Sequence, residues 1–160
     1  MAFSTDDAAS TYLMGCGRSV DGKSVDDLHL MIGQALKMFY KAQESRANSK
    51  PRHMIIYRTG ISEAERGIIS HIETMEIKKG IKMVDDNWEC KVTYITVDKH
   101  HSQRFASKDP SMQIDKSRNI RAGTVVDRVV CGANNRFDFY LASSQGIQVV
   151  KNFKSLEKLV

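Results

Sequence analysis

The sequence predicts an α/β domain, and three observations lead to it. Two short runs rich in β-branched and aromatic residues, MIIYRT at 54–59 and KVTYITVD at 91–98, flank a stretch of helical periodicity. A second helix-spaced stretch precedes the first of these runs, so strand and helix alternate through the middle of the chain. Breakers at Gly17, Gly22, Pro51 and Gly60 fall between the elements. Such alternation predicts parallel strands joined by helices that cross over one face of the sheet.

Taken in order, STYLMGC at 10–16 reads as a strand, closed by Gly17 and the Asp21-Gly22 stretch. A helix follows. Ser24 stands three residues before Asp27 in an acidic variant of the capping box, and Leu28, Ile32, Ala35, Leu36 and Phe39 recur on one face to about Gln43. ESRANSKPR is a loop, because proline removes a donor and disfavours helix at the residue before it. MIIYRT reads as a buried strand. Ser62 is the expected cap of a second helix, with Ile68, Ile69, Ile72, Met75 and Ile81 as its apolar face and Lys78-Lys79-Gly80 near its end. KVTYITVD, TVVDRVV at 124–130 and RFDFYLA at 136–142 supply three more strands. The polar stretch between the first two of them is long for a compact domain, which marks it as functional or mobile. Ligands of such sheets bind beyond the carboxyl ends of the strands, here at Thr59 and from Asp98 onward.

The bulk numbers fit one domain of 160 residues with 41% hydrophobic content. Lys and Arg number 24 against 19 Asp and Glu, a formal charge of +5, which suits a polyanionic partner such as RNA. Cys16, Cys90 and Cys131 are too widely spaced for a zinc site or a disulfide framework. No apolar run approaches a membrane span, and MAFSTDDAAS lacks the layout of a signal peptide, so no membrane partner and a place in cytoplasm or nucleus are expected.

Four blocks narrow the reading. Y-R-T-G-I-S-E at 57–63, V-D-K-H-H-S-Q-R-F at 97–105, A-G-T-V-V-D at 122–127 and F-D-F-Y-L-A-S-S-Q-G-I-Q at 137–148 resemble, in order and spacing, four consecutive blocks of the Piwi domain of Argonaute proteins. The likeness is greatest to diverged worm-type members that have lost their cutting residues. It implies an RNase H-like Piwi fold over 1–148, incomplete because the opening central strand and the C-terminal portion are missing, followed by a divergent tail over 149–160. That tail reads either as an amphipathic helix, from Val149, Val150, Phe153, Leu156 and Val160, or as sequence outside the family pattern. Without the opening strand, two backbone edges need another partner.

Cutting members of the family hold two divalent ions between carboxylates, which activate water and stabilise the leaving oxygen. The resemblance places Thr59 where the aspartate of Y-R-D-G stands and Lys23 at the glutamate position, with Asp21 or Asp26 reachable by a short shift. The other two ligand positions have no counterpart. No catalysis, metal or cofactor is therefore expected. Guide-backbone contacts match better, at Lys99, His100, His101, Arg104 and Gln148, although His100 replaces an arginine, and Ser102 and Ser144 replace histidines. The expectation is a non-catalytic protein of small-RNA silencing that binds guide or target RNA weakly and associates with other Argonaute-pathway proteins. The alternative is a protein-interaction module, or a truncated gene product, that engages the Argonaute machinery without RNA.

Overall fold

A computed structural model describes residues 1–6, 9–17, 19, 25–43, 50–99, 101, 103–113, 120–131, 137–143 and 157–159. The chain forms two compact units, residues 1–56 with 61–94 and residues 57–60 with 95–160. As expected, strands and helices alternate through its middle.

The first unit opens with a hairpin that the sequence reading half anticipated. Strand β2 (Tyr12–Met14) lies within the expected 10–16 run, but it pairs antiparallel with β1 (Ala2–Ser4), an unexpected strand, in the register Phe3↔Leu13. Asp6 makes the turn between them. Its carboxylate accepts the Ser10 hydroxyl and the backbone N–H groups of Thr11 at 3.1 Å and Ser10 at 2.9 Å, and these bonds, the hydroxyl's first, hold it below the ordinary carboxylate range.

Helix α1 (Leu28–Ala42) ends where its periodicity stops and buries Leu28, Ile32, Gly33, Ala35 and Leu36. Its start differs from the capping-box reading. Asp27 occupies the N-cap with φ +55° and makes no side-chain cap bond, and Ser24 lies outside the described residues. At the other end the buried Gln43 donates from Nε2 to the Thr5 carbonyl at 2.8 Å, which ties the helix to the hairpin.

Helix α2 (Arg66–Val84) corrects the sequence reading most. Ser62 donates to Glu65 Oε2 at 2.6 Å in a turn, and the helix begins after it. The buried face is Arg66, Ile69, Glu73, Ile77, Gly80 and Ile81, so Ile69 and Ile81 face inward as expected whereas Ile68, Ile72 and Met75 are exposed. Two polar residues and a glycine on the inner face explain the misreading: Glu73 accepts from the Tyr94 hydroxyl at 2.6 Å, and Gly80 lets α1 approach. The core joins Leu28, Ile32, Leu36, Ile77 and Ile81 with Met54, Ile56, Val92 and Tyr94 from the adjacent strands β3 (His53–Thr59) and β4 (Lys91–Asp98).

Alanine at Gly80 would place its Cβ 2.6 Å from the His29 carbonyl oxygen and 2.9 Å from Ile32 Cβ. Backbone cannot yield as a flexible side chain would, so overpacking of about 1–3 kcal/mol outweighs a helix-propensity gain of about 1 kcal/mol. Gly80→Ala is therefore expected to lower the urea midpoint, and an unchanged or raised midpoint contradicts this helix crossing.

Beside the crossing, His29 Nδ1 donates to Glu76 Oε2, and Lys79 Nζ lies 3.7 Å from Oε1. The His29 bond first, then the charges of Lys79 and His29, hold the Glu76 carboxyl below its ordinary 4.5 against a small opposing effect of burial. A depressed carboxylate stabilises the fold above its unfolded pKa and loses that contribution as pH falls through the folded value. The stability difference between the native chain and Glu76→Gln, followed by urea unfolding, is expected at pH 6 and shrinks as pH drops below 4.5.

The five-stranded sheet has the order β3-β4-β7-β6-β5, with β5 (Val125–Val126), β6 (Phe139–Leu141) and β7 (Glu157–Leu159). The β4·β7, β7·β6 and β6·β5 pairs are antiparallel. Strands expected over 124–130 and 136–142 are thus much shorter; Val129 has φ +68° and is fully exposed, which ends β5 early. For the tail, Glu157–Leu159 form a strand where a helix was one of two expectations. Pairing Val97↔Leu159 and Phe139↔Leu159 satisfies the facing edges of β4 and β6, which would otherwise be open. Strand β3 is outermost, and the hairpin β1–β2 forms a sheet of its own.

Candidate functional site

The site expected from topology lies at the carboxyl ends of β3 and β4, within the second unit. β3 ends at Thr59, and Gly60 follows with φ +79°, a conformation that glycine adopts without strain. Thr59 is exposed, and the Arg58 guanidinium donates from Nη1 to its carbonyl at 2.5 Å. β4 ends at Asp98, and the exposed Lys99 comes next.

At these two strand ends the described carboxylate is that of Asp98. Thr59 offers a neutral oxygen, whereas charge neutralisation of a pair of divalent cations requires several anionic oxygens. Among the described residues no three His, Cys, Asp or Glu side chains are arranged to hold a metal ion. Lys23 and Asp21 lie outside the described residues; Asp26 lies in the turn before α1, in the first unit.

The cationic segment that leaves β4 divides its residues between packing and solvent. His101 packs edge-on against Tyr140, with ring centroids 4.9 Å apart, and both its ring nitrogens are shielded from solvent. Tyr140 is buried, packs against Phe105 with ring centroids 5.1 Å apart, and forms a small core with Ala142, Ile120, Val126 and Cys131. The His101 ring therefore anchors the segment, while Lys99 and Arg104 stay exposed. Arg104 uses one nitrogen, Nη1, to donate to the carbonyls of His101 and Gln103, both at 3.2 Å, which fixes its base. A guanidinium has five donors, so others remain for an anion. His100 and Gln148 lie outside the described residues.

Among the described residues the second unit carries three further exposed cations, Lys108, Arg121 and Arg128, that sequence reasoning did not single out. Their signal is collective. Residues 57–60 and 95–160 hold 12 Lys and Arg against 6 Asp and Glu, whereas the rest of the chain holds 12 against 13. The whole positive excess belongs to the second unit.

The family model described as "Piwi domain" matches residues 2–158, nearly all of the chain. The fold is similar to the C-terminal lobe of a budding yeast Argonaute at 21% identity and TM-score 0.65, covering 92% of this chain and 29% of that one. It is also similar to Kluyveromyces polysporus Argonaute, solved with a guide RNA, at 20% identity and TM-score 0.70, covering 99% of this chain and 20% of that one. Drosophila Piwi matches at 23% identity and TM-score 0.58, over 81% of this chain and 16% of its own. The chain spans less than a third of the length of these proteins.

Proposed function

The chain belongs to the Piwi-domain family, and on that premise we propose that it is a non-catalytic member acting in small-RNA-mediated gene silencing, whose second unit holds RNA weakly by its backbone. The charge distribution carries this reading: 12 cations against 6 acids in one unit and near balance in the other. A phosphate backbone is bound through such an excess, whatever its sequence. Exposed Lys99 and Arg104 supply phosphate contacts, and the packed ring of His101 holds the segment between them in place. The similar Argonaute of Kluyveromyces polysporus was solved with a guide RNA, which supports RNA as the polyanion.

Lack of cleavage rests on Thr59, whose neutral oxygen stands where the family's aspartate would supply an anionic metal ligand. A labelled RNA target annealed to a matching guide, incubated with the chain and Mg²⁺ or Mn²⁺, is expected to stay intact; metal-dependent shortening overturns the reading. A second reading, association with Argonaute-pathway proteins without RNA, draws on the exposed apolar side chains of α2. Pull-down with and without RNase separates the two, since only an RNA-bridged association is lost on digestion.

A further inference from the structure

The misread face of α2 has its own order. Ile68, Ile72, Met75, Lys79 and Lys82 lie 4, 3, 4 and 3 residues apart on one exposed line, and Met83 flanks it. Ile68 is 68% exposed, Ile72 47%, Met75 60% and Met83 53%. Spacing that alternates fours and threes is the seam along which one helix docks on another. Of the two acids of α2, Glu73 bonds to Tyr94 on the inner face, and Glu76 bonds to His29 and lies 3.7 Å from Lys79, a largely solvated pair of little energetic weight. The exposed line is therefore apolar at its amino end and cationic at its carboxyl end, where Lys79 has Glu76 at its side and Lys82 is exposed.

We propose that this seam of α2 docks a partner helix of complementary chemistry, apolar where it meets Ile68, Ile72 and Met75 and acidic where it meets Lys79 and Lys82. Lysine stems cover apolar surface while their ammonium groups seek an anion, so two seam lysines select glutamate or aspartate opposite them. A second copy of the chain is a poor occupant. Docked parallel it sets lysine against lysine, and docked antiparallel it sets lysine against Ile68. The proposal is independent of RNA binding, because every residue of the seam belongs to the first unit.

The test uses the full chain and a fluorescent synthetic helix with leucine on one seam, ending in glutamate at two seam positions, followed by anisotropy. Binding is expected to weaken on the order of tenfold in Ile72→Ser/Met75→Ser, through lost apolar burial. A similar loss is expected in Lys79→Glu/Lys82→Glu, through like charges brought together. The Lys79→Glu/Lys82→Glu chain should in turn bind a peptide with lysine at the two acidic positions, which the native chain rejects. All substituted positions are exposed, and unchanged circular dichroism establishes that the variants fold. The proposal is overturned by no binding, by equal binding of a scrambled peptide, or by indifference to both variants. It is equally overturned if the same substitutions instead abolish self-association in sedimentation or binding to anionic phosphatidylserine vesicles.

Discussion

Replacing Lys99 and Arg104 together by alanine is expected to flatten the salt dependence of RNA binding. Each phosphate neutralised on a single strand contributes about 0.7 to the slope of log affinity against log salt, so two contacts contribute about 1.4. For the native chain this corresponds to a loss on the order of 25-fold per tenfold rise in salt from these two residues alone. The double variant keeps only the slope due to the remaining cations of the second unit. Both side chains are exposed, and Arg104 donates to the nearby carbonyls of His101 and Gln103; circular dichroism checks that the double variant folds. Filter binding across a salt series measures the difference; identical slopes for variant and native chain would remove these residues from the interface.

The second large effect concerns stability. Ile77 has no exposed surface and sits at the centre of the core between α1, α2 and the strands of the first unit. Ile77→Ala removes buried methyl groups and leaves a cavity, a change that costs about 2–5 kcal/mol. Ile68→Ala, on the same helix but 68% exposed, is expected to fall within about 0.5 kcal/mol of the native chain. Urea unfolding of the pair decides which stripe of α2 faces the core. Equal losses, or a larger loss at Ile68, would restore the face that periodicity suggests.

That contrast also shows what the sequence could and could not say. Strand β4 and the end of α1 are legible because a β-branched run and a single apolar stripe each admit one arrangement. Helix α2 is not, because isoleucine and methionine occupy two stripes and the inner one is interrupted by Arg66, Glu73 and Gly80. Only the partner groups resolve it: the Tyr94 hydroxyl for Glu73 and the backbone of α1 for Gly80. Strand β1 was missed since three residues carry too little pattern, and its pairing is set by bonds to Asp6 in the turn. Strand β7 was missed for a different reason. Its place comes from the edges of β4 and β6 that it joins, a property of distant segments and not of Glu157–Leu159 themselves.

At the candidate site, residue identity was more informative than position. Thr59 and the cations after Asp98 could be named from the motif, but the division of labour among them depends on Tyr140, nearly forty residues away in sequence, whose ring takes up His101. The charge asymmetry between the units was likewise invisible until the chain was divided, because a net +5 averages a basic part with a balanced one.

The central claim is that the second unit holds RNA by charge and does not cut it. One titration tests it most directly: a labelled single-stranded RNA against the full chain in Mg²⁺, from low to high salt, with the RNA recovered and sized at each point. Measurable binding at low salt, a steep linear fall of log affinity with log salt, and RNA of unchanged length throughout are expected. Binding that ignores salt, no binding at low salt, or recovery of shortened RNA would contradict it.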